Sequence, residues 1–366
     1  MIRIDFVVNN SNDINIYRNI FSVFSNYNFD PKLIIKSTDT DSFFFSYKDA
    51  ISEANRINMG FLSKSRDADI VFTTQGRETV KGYKGIKIRI HYGVALNPKS
   101  WSRSSISVLP FDFIMVPCKY DKKKYSRWLT SESLVISGYP KYKKVWDSNW
   151  SAQKIKLNSP KKKTLLYLPT WGKKSSFEEY VDALFTLQND YNVVIKFHHV
   201  TTLSEQNRIN KAKNLNLFIF EGELEDILFT SDLVMCDVNS GSLAESLMFK
   251  KRTVGLVTGS SNLEWINTLS KDHEVPFCFK PNDLERSIEK LFNKKLNRTK
   301  VNNFSEMLLS YRTKKVSEIA IYNLLRHIIF TKSNYSRNLI NKLWGYFFII
   351  KKKIGFSSDT YNTRIK

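Results

Sequence analysis

Apolar residues fall in short unbroken runs separated by amphipathic stretches. Ile2–Val8, Leu33–Ile35, Ile70–Phe72, Ile86–Ile90, Phe113–Val116 and Leu134–Ile136 read as strands covered on both faces, as in parallel sheets. Helical spacing lies between several of them, as in Asn15–Ser25 and Tyr47–Asn58. A lysine-rich, poorly periodic stretch over 141–163 interrupts the rhythm. It restarts with runs at Thr164–Leu168, Val193–Phe197, Leu217–Phe220, Leu233–Cys236 and Thr253–Val257, with helical patterns at Ser176–Gln188 and Ser242–Phe249. The alternation predicts an α/β protein of two doubly wound, Rossmann-like domains, residues 1–150 and 151–330, facing across a cleft. Beyond about residue 300 the pattern is helical only. Val316, Ile319, Ala320, Leu324, Leu325 and Ile328 make a core-facing stripe, and 331–366 forms a basic amphipathic tail around LWGYFFII. No repeat of 20–50 residues appears.

Length and composition agree with two ordinary domains: 366 residues, 42% hydrophobic and 14% aromatic, exclude wholesale disorder. No run approaches the twenty apolar residues of a spanning helix. The opening MIRIDFVVNN has neither the apolar centre nor the cleavage site of a signal peptide, which predicts a cytoplasmic protein. Three distant cysteines, Cys118, Cys236 and Cys278, support neither a disulfide framework nor a cysteine-rich metal site. The charge changes the picture more. At +22 the chain favours polyanions, whether nucleic acid, anionic lipid or a phosphate-rich substrate, although Lys- and Asn-rich composition accounts for part of the excess. No zinc-finger spacing, RNP motif or basic heptad is present, so no nucleic-acid partner is expected.

Ligands of doubly wound sheets sit beyond the carboxyl ends of the strands, and the candidate chemistry is sought there. In CDVNSGSLAES a strand ends at Cys236 and a helix begins after Ser240-Gly241-Ser242, a turn whose amides make a phosphate cradle. Glu245, one turn on, can accept ribose hydroxyls or close a capping box with Ser242. TLLYLPTWGKK offers Thr170 as a phosphate donor beside Trp171, with Lys173 to neutralise charge. VVIKFHH places Lys196 and His198 on one side of a strand exit and His199 on the other. In the first half His91 ends a strand ahead of Tyr92, Gly93 and Lys99, where an imidazole suits a general base. Gly138-Tyr139-Pro140 reads as a turn. The triplets Asp39-Thr40-Asp41 and Asp67-Ala68-Asp69 read as solvated loops, and no metal site is expected.

In order and spacing these motifs resemble the CDP-glycerol glycerophosphotransferase family, the teichoic-acid and capsule polymer transferases of GT-B architecture. PTWG at 169–172, KFHH at 196–199, CDVNSGS at 236–242, IHYG at 90–93 and GYPK at 138–141 correspond to that family's "APTWR", "KxHP", "TDYSS", "HG" and "GYPR.D" stretches. The similarity spans roughly residues 65–325. Tyr92 separates His91 from its glycine, His199 stands where the family has proline, and Gly172 where it has arginine. Asn239 to Ser242 with Glu245 look closer to nucleotide-sugar enzymes of the same superfamily, among them UDP-N-acetylglucosamine 2-epimerases.

The resemblance implies transfer of glycerol phosphate, or a related polyol phosphate, from a CDP-linked donor to a hydroxyl of a polymer or lipid-linked acceptor. His91 and His198 become the catalytic candidates. Thr170, Trp171, Lys173, Lys196, Ser240, Gly241, Ser242 and Glu245 become the nucleotide and diphosphate set, with no cofactor beyond the donor and no metal. A GT-B glycosyltransferase or epimerase using a UDP- or CMP-linked sugar is the alternative. A basic nucleic-acid-binding or scaffold protein with inactive domains is an alternative of another class. For the tail, Leu339, Ile340, Leu343, Trp344, Phe347 and Ile350 recur at helical steps with lysines around them. That pattern predicts a peripheral helix on the inner, anionic face of the membrane, or a helix packed back on the domains.

Overall fold

Residues that are apolar at consecutive positions need cover on both faces, and in the computed structural model they form two parallel sheets with helices packed against them. Residues 1–10, 12–36, 46–91, 111–152, 155–157, 159–259, 261, 266, 275–295, 297–331 and 337–355 are described. The first sheet runs through β1 (Arg3–Val7), β2 (Asp30–Ile34), β3 (Phe61–Leu62), β4 (Ile70–Thr73), β5 (Ile86–Ile90), β6 (Phe113–Val116) and β7 (Leu134–Ile136). Its spatial order is β3-β2-β1-β4-β5-β6-β7. β1 pairs with β2 on one side and β4 on the other, so strand order reverses between β1 and β4. Helix α1 (Asn12–Asn26) covers one face, α2 (Tyr47–Arg56) and α3 (Lys119–Tyr125) follow β2 and β6, and Phe6 stacks on Phe72 at 4.7 Å in the core between.

The second sheet contains β8 (Thr164–Leu168), β9 (Asn192–Ile195), β10 (Phe218–Ile219), β11 (Leu233–Asp237), β12 (Arg252–Leu256) and β13 (Phe277–Cys278), in the order β10-β9-β8-β11-β12-β13. Its reversal falls between β8 and β11. α4 (Phe177–Leu187), α5 (His199–Ser204), α6 (Gln206–Asn214), α7 (Leu224–Thr230), α8 (Gly241–Met248), α9 (Leu284–Asn293) and α10 (Arg298–Leu308) belong to this half. Tyr167, Phe177, Tyr180 and Leu233 are among its fully buried core residues.

The chain divides into two compact units at Ser148 and again at Leu309, which differs from the boundary expected at residue 330. From Leu309 onward the described residues belong to the first unit. The cause is the stripe foreseen on α11 (Val316–Thr331): Val316, Ala320, Leu324, Leu325 and Ile328 are wholly buried. Gly138 makes room for this return. Its φ is +66°, and a Cβ there would lie 2.7 Å from the Ser310 carbonyl oxygen and from Val316, so the segment read as a plain turn is a packing seat. Nearby, Lys143 pairs with Glu318 at 3.2 Å and Asn19 donates to the Pro140 carbonyl at 2.8 Å.

The tail follows the second of its two readings, a helix packed back on a domain. Its helix, α12 (Arg337–Ile354), buries Leu343, Phe347 and Ile350 in the core of the first unit, with Leu339, Ile340 and Trp344 packed at the margin. Each such burial contributes about 1.5–3 kcal/mol, which fixes the helix to the domain through the face first assigned to lipid. No described helix is long and apolar enough to cross a membrane.

Candidate functional site

At the reversal between β8 and β11 the two strand exits are joined by one carboxylate. Asp237, the last residue of β11, is 1% exposed. Its carboxylate accepts the Thr170 amide at 2.7 Å, the Ser176 amide at 3.3 Å and the Ser176 hydroxyl, which also hydrogen-bonds the Tyr167 phenol at 2.8 Å. Ser176 is the residue at which α4 starts. Asp237 therefore fills the amino end of α4 with the chain's own negative charge. Burial pushes its pKa up to about 6, against the opposing pull of the Ser176 and Thr170 donors and of the more distant Arg208.

The neighbouring helix start differs. Ser240 caps α8, its hydroxyl accepting the Ser242 amide at 3.2 Å, and Gly241 borders open space where a Cβ would meet nothing within 4 Å. Of the two helix starts flanking the reversal, α4 is occupied by Asp237 and α8 faces solvent at Gly241. The Ser240 amide donates to the Asp237 carbonyl at 2.9 Å and the Ser242 amide to the Ser240 hydroxyl, so Gly241 is the open position of this turn. Because Ser240 is the cap, the box once considered between Ser242 and Glu245 does not form. Glu245 sits half-buried one turn further along.

The turn after β8 is gripped from its other side. Gly172, at φ +66°, donates its amide to Glu205 at 3.0 Å, while its carbonyl accepts from Arg208 at 3.1 Å. Glu205 and Arg208 pair with each other at 2.8 Å, and Thr201 donates to Glu205 at 2.8 Å. Thr170 and Trp171 are thus held between two carboxylates, with Lys173 exposed at the tip. Asp237 stands in the CDVNSGS stretch without a role read for it, and the Glu205–Arg208 clamp was not recognised in the sequence. The available signal was a glycine standing in the family's arginine position after PTW.

The third exit departs from expectation. β9 ends at Ile195, so Lys196 and His198 are not alternating strand residues. Lys196 donates to the Gly222 carbonyl at 2.5 Å and lies 5.5 Å from the centre of the Phe220 ring. His198 caps α5: its Nδ1 accepts the Val200 amide at 3.2 Å, which leaves the proton on Nε2. The ring stands 6.4 Å from Trp171 and 4.2 Å from His199, centroid to centroid. The exits of β9, β8 and β11 are adjacent, so the order of strands brings Lys196, His198, Thr170, Trp171, Lys173 and Ser240 to Ser242 to one end of the sheet.

In the first unit His91 follows β5, its amide donating to the Met115 carbonyl at 2.9 Å and its half-buried ring edge-on to Tyr125 at 5.5 Å. Tyr92, Gly93 and Lys99 lie outside the described residues, as does the Asp39–Asp41 triplet. Asp67 and Asp69 engage Arg3 at the start of β1 and take no part in a strand exit. This unit has its own pinned carboxylate at its reversal. Asp13, 1% exposed, accepts the Asn9 amide at 2.8 Å, the Asn10 amide at 3.1 Å and the Thr74 hydroxyl at 2.7 Å, and burial pushes it up to about 6. Among the described residues, no three His, Cys, Asp or Glu side chains gather as a metal site would require.

Two Rossmann-like α/β units, each organised around a polar strand-order reversal, make this a GT-B protein. Solved structures of the same fold span nearly the whole chain. A putative UDP-N-acetylglucosamine 2-epimerase from Listeria monocytogenes superposes with a TM-score of 0.59 at 11% identity, covering 90% of this chain and 98% of its own. MnaA of S. aureus with UDP gives 0.59 at 13%, covering 92% and 100%. The UDP-GlcNAc 2-epimerase of Neisseria meningitidis bound to UDP-GlcNAc gives 0.57 at 12%, covering 89% and 100%. No curated protein matches in sequence. The sequence profile of the CDP-glycerol:poly(glycerophosphate) glycerophosphotransferases matches residues 14–241, and the chain belongs to that family of transferases.

Proposed function

We propose that the protein transfers glycerol phosphate, or a related polyol phosphate, from a CDP-linked donor to a hydroxyl of a cell-surface polymer or lipid-linked acceptor. The family match over 14–241 carries this reading, because it runs from α1 to the start of α8 and takes in every strand exit of the site. In the reaction the acceptor oxygen attacks the phosphorus bearing the polyol. The bond from that phosphorus to the bridging oxygen breaks, CMP leaves with the electron pair, and the acceptor proton passes to His91. The diphosphate is held at the α8 start by Ser240 to Ser242, with Thr170 and Lys173 on the neighbouring turn and Trp171 beside the nucleotide. Lys196 adds positive charge from the β9 exit. His198 suits a donor better than a base in this reading: its Nδ1 accepts from its own helix, which leaves a proton on Nε2 to give to the leaving phosphate. Glu245 is the residue assigned to the ribose hydroxyls in this reading. Lysines and amides provide the neutralisation, so turnover is expected to survive EDTA. The work site is the inner face of the membrane, where such acceptors are anchored.

A second reading, a UDP- or CMP-sugar glycosyltransferase or epimerase, draws on the fold shared with UDP-N-acetylglucosamine 2-epimerases and on the Asn239–Ser242 turn. Thermal shift with CDP-glycerol, CDP-ribitol, UDP-N-acetylglucosamine, a CMP-sugar and short DNA separates the readings. Stabilisation by the CDP-polyols above the others is expected, and stabilisation by the UDP-sugar alone would reverse the order.

A further inference from the structure

The inner face of α12 is spent on the core, which leaves its outer face to be accounted for. Along that arc stand Phe348, 57% exposed, and Ile349, 54% exposed, interleaved with exposed Lys342, Lys352 and Lys353. The apolar surface continues off the helix. Trp344 stacks on Phe348 at 5.4 Å and meets Phe330 of α11, 63% exposed, at 5.2 Å. Gly345, in the middle of the arc, borders open space on the side a Cβ would occupy. The 18 residues of α12 include five Lys or Arg and no acid.

A helix facing only water has no use for two large apolar side chains pointing outward beside its cations, with Phe330 of the neighbouring helix extending them. Aromatic and aliphatic groups at the depth of lysine ammoniums match a lipid interface, where rings enter the headgroup boundary and ammoniums meet lipid phosphates. A second copy of the chain fits poorly, since a two-fold contact would set this uncompensated positive face against itself. We infer that the outer face of α12, with Phe330, Trp344, Phe348 and Ile349 between Lys342 and Lys352, docks the protein on an anionic bilayer. The surface shares Trp344, at the core margin, with the face read from the sequence, and otherwise lies on the outward side of the helix. This deepens the transferase reading by naming the membrane-contacting surface, and it rests on that reading only for its purpose.

Co-sedimentation of the full chain with phosphatidylglycerol–phosphatidylcholine vesicles tests it, against vesicles of phosphatidylcholine alone. Binding to the anionic vesicles, weakened by salt, is expected. Phe348→Ser with Ile349→Ser should lower the partition coefficient at least tenfold. Lys342→Gln and Lys352→Gln should lower it about fivefold each. Gly345→Glu, which adds a negative charge into open space, should lower it as well. All these positions are exposed, so melting temperatures should match the parent, and transfer to a soluble acceptor reports separately on the catalytic reading. The inference fails if the parent does not bind anionic vesicles or if the variants bind as it does. It also fails if the apolar pair of substitutions dissolves a dimer in sedimentation velocity, or if short single-stranded DNA is bound in place of vesicles.

Discussion

Replacing Asp237 removes the joint between the β8 and β11 exits, and the structure sets the size of the effect. Asp237→Ala leaves the Thr170 amide, the Ser176 amide and the Ser176 hydroxyl without their acceptor in a buried site. At about 1–3 kcal/mol for each stranded donor, and with partial relaxation, the expected loss of stability is about 3–5 kcal/mol. Asp237→Asn keeps one oxygen for Thr170, while its amide donates to the Ser176 hydroxyl, so it should cost far less. It also removes a titration. The folded pKa of about 6 lies above the ordinary value of 3.8, so the folded state holds its proton more tightly than the unfolded chain. Stability from this group is fully present below pH 3.8 and is lost as pH rises through 6. Between pH 5 and 7 that loss is about 1 kcal/mol. Asp13, also raised to about 6, adds a like amount. Urea unfolding at both pH values is the assay: the parent should weaken on going to pH 7, and Asp237→Asn should show a smaller decrement. In parallel, Asp237→Ala should bind CDP-glycerol at least tenfold more weakly, because Thr170 and Trp171 lose their seat. An Asp237→Asn slope equal to the parent's, or an Asp237→Ala protein that binds donor normally, would refute the role given to this carboxylate.

Other consequences are equally direct. Glu205→Gln keeps an acceptor for Gly172 but loses the charge that holds Arg208; the KM for donor should rise severalfold with kcat little changed, and Arg208→Gln should behave alike. Leu343→Ala should destabilise the protein by about 2–5 kcal/mol in thermal or chemical unfolding, and a chain ending at Phe330 should lose the cooperative unfolding of the first unit. A truncated chain that stays folded would show that α12 is dispensable to the core.

The strands were legible because parallel sheets bury both faces, so Ile70–Phe72, Phe113–Val116 and Leu233–Cys236 stand out as unbroken apolar runs. β3 and β13 were not, being two residues each and too short to carry a pattern. The helix start at Ser240–Ser242 could be read from small residues after a strand. The roles of the pinned carboxylates could not: Asp237, although inside the CDVNSGS stretch, accepts from Thr170 and Ser176 more than sixty residues upstream, and Asp13, in the first turn of α1, accepts from the equally distant Thr74. Glu205 and Arg208, three apart on a polar stretch, resemble a surface ion pair until Gly172, more than thirty residues upstream, is placed between them. The alternation given to Lys196 and His198 does not hold because the rule was carried three residues past the end of β9. For the tail, periodicity revealed an apolar face and left open whether lipid or the domains covered it; α11 and the core of the first unit do.

The central claim is the reaction, and product analysis with CDP-glycerol tests it most directly. Incubated with CDP-glycerol and a polyol-phosphate-terminated acceptor, the protein should release one CMP for each glycerol phosphate incorporated, with EDTA present. His91→Ala should bind the donor as the parent does and release no CMP. CMP release by His91→Ala at the parental rate would remove that residue from the mechanism. Turnover of UDP-N-acetylglucosamine with no incorporation from any CDP-polyol would contradict the assignment itself.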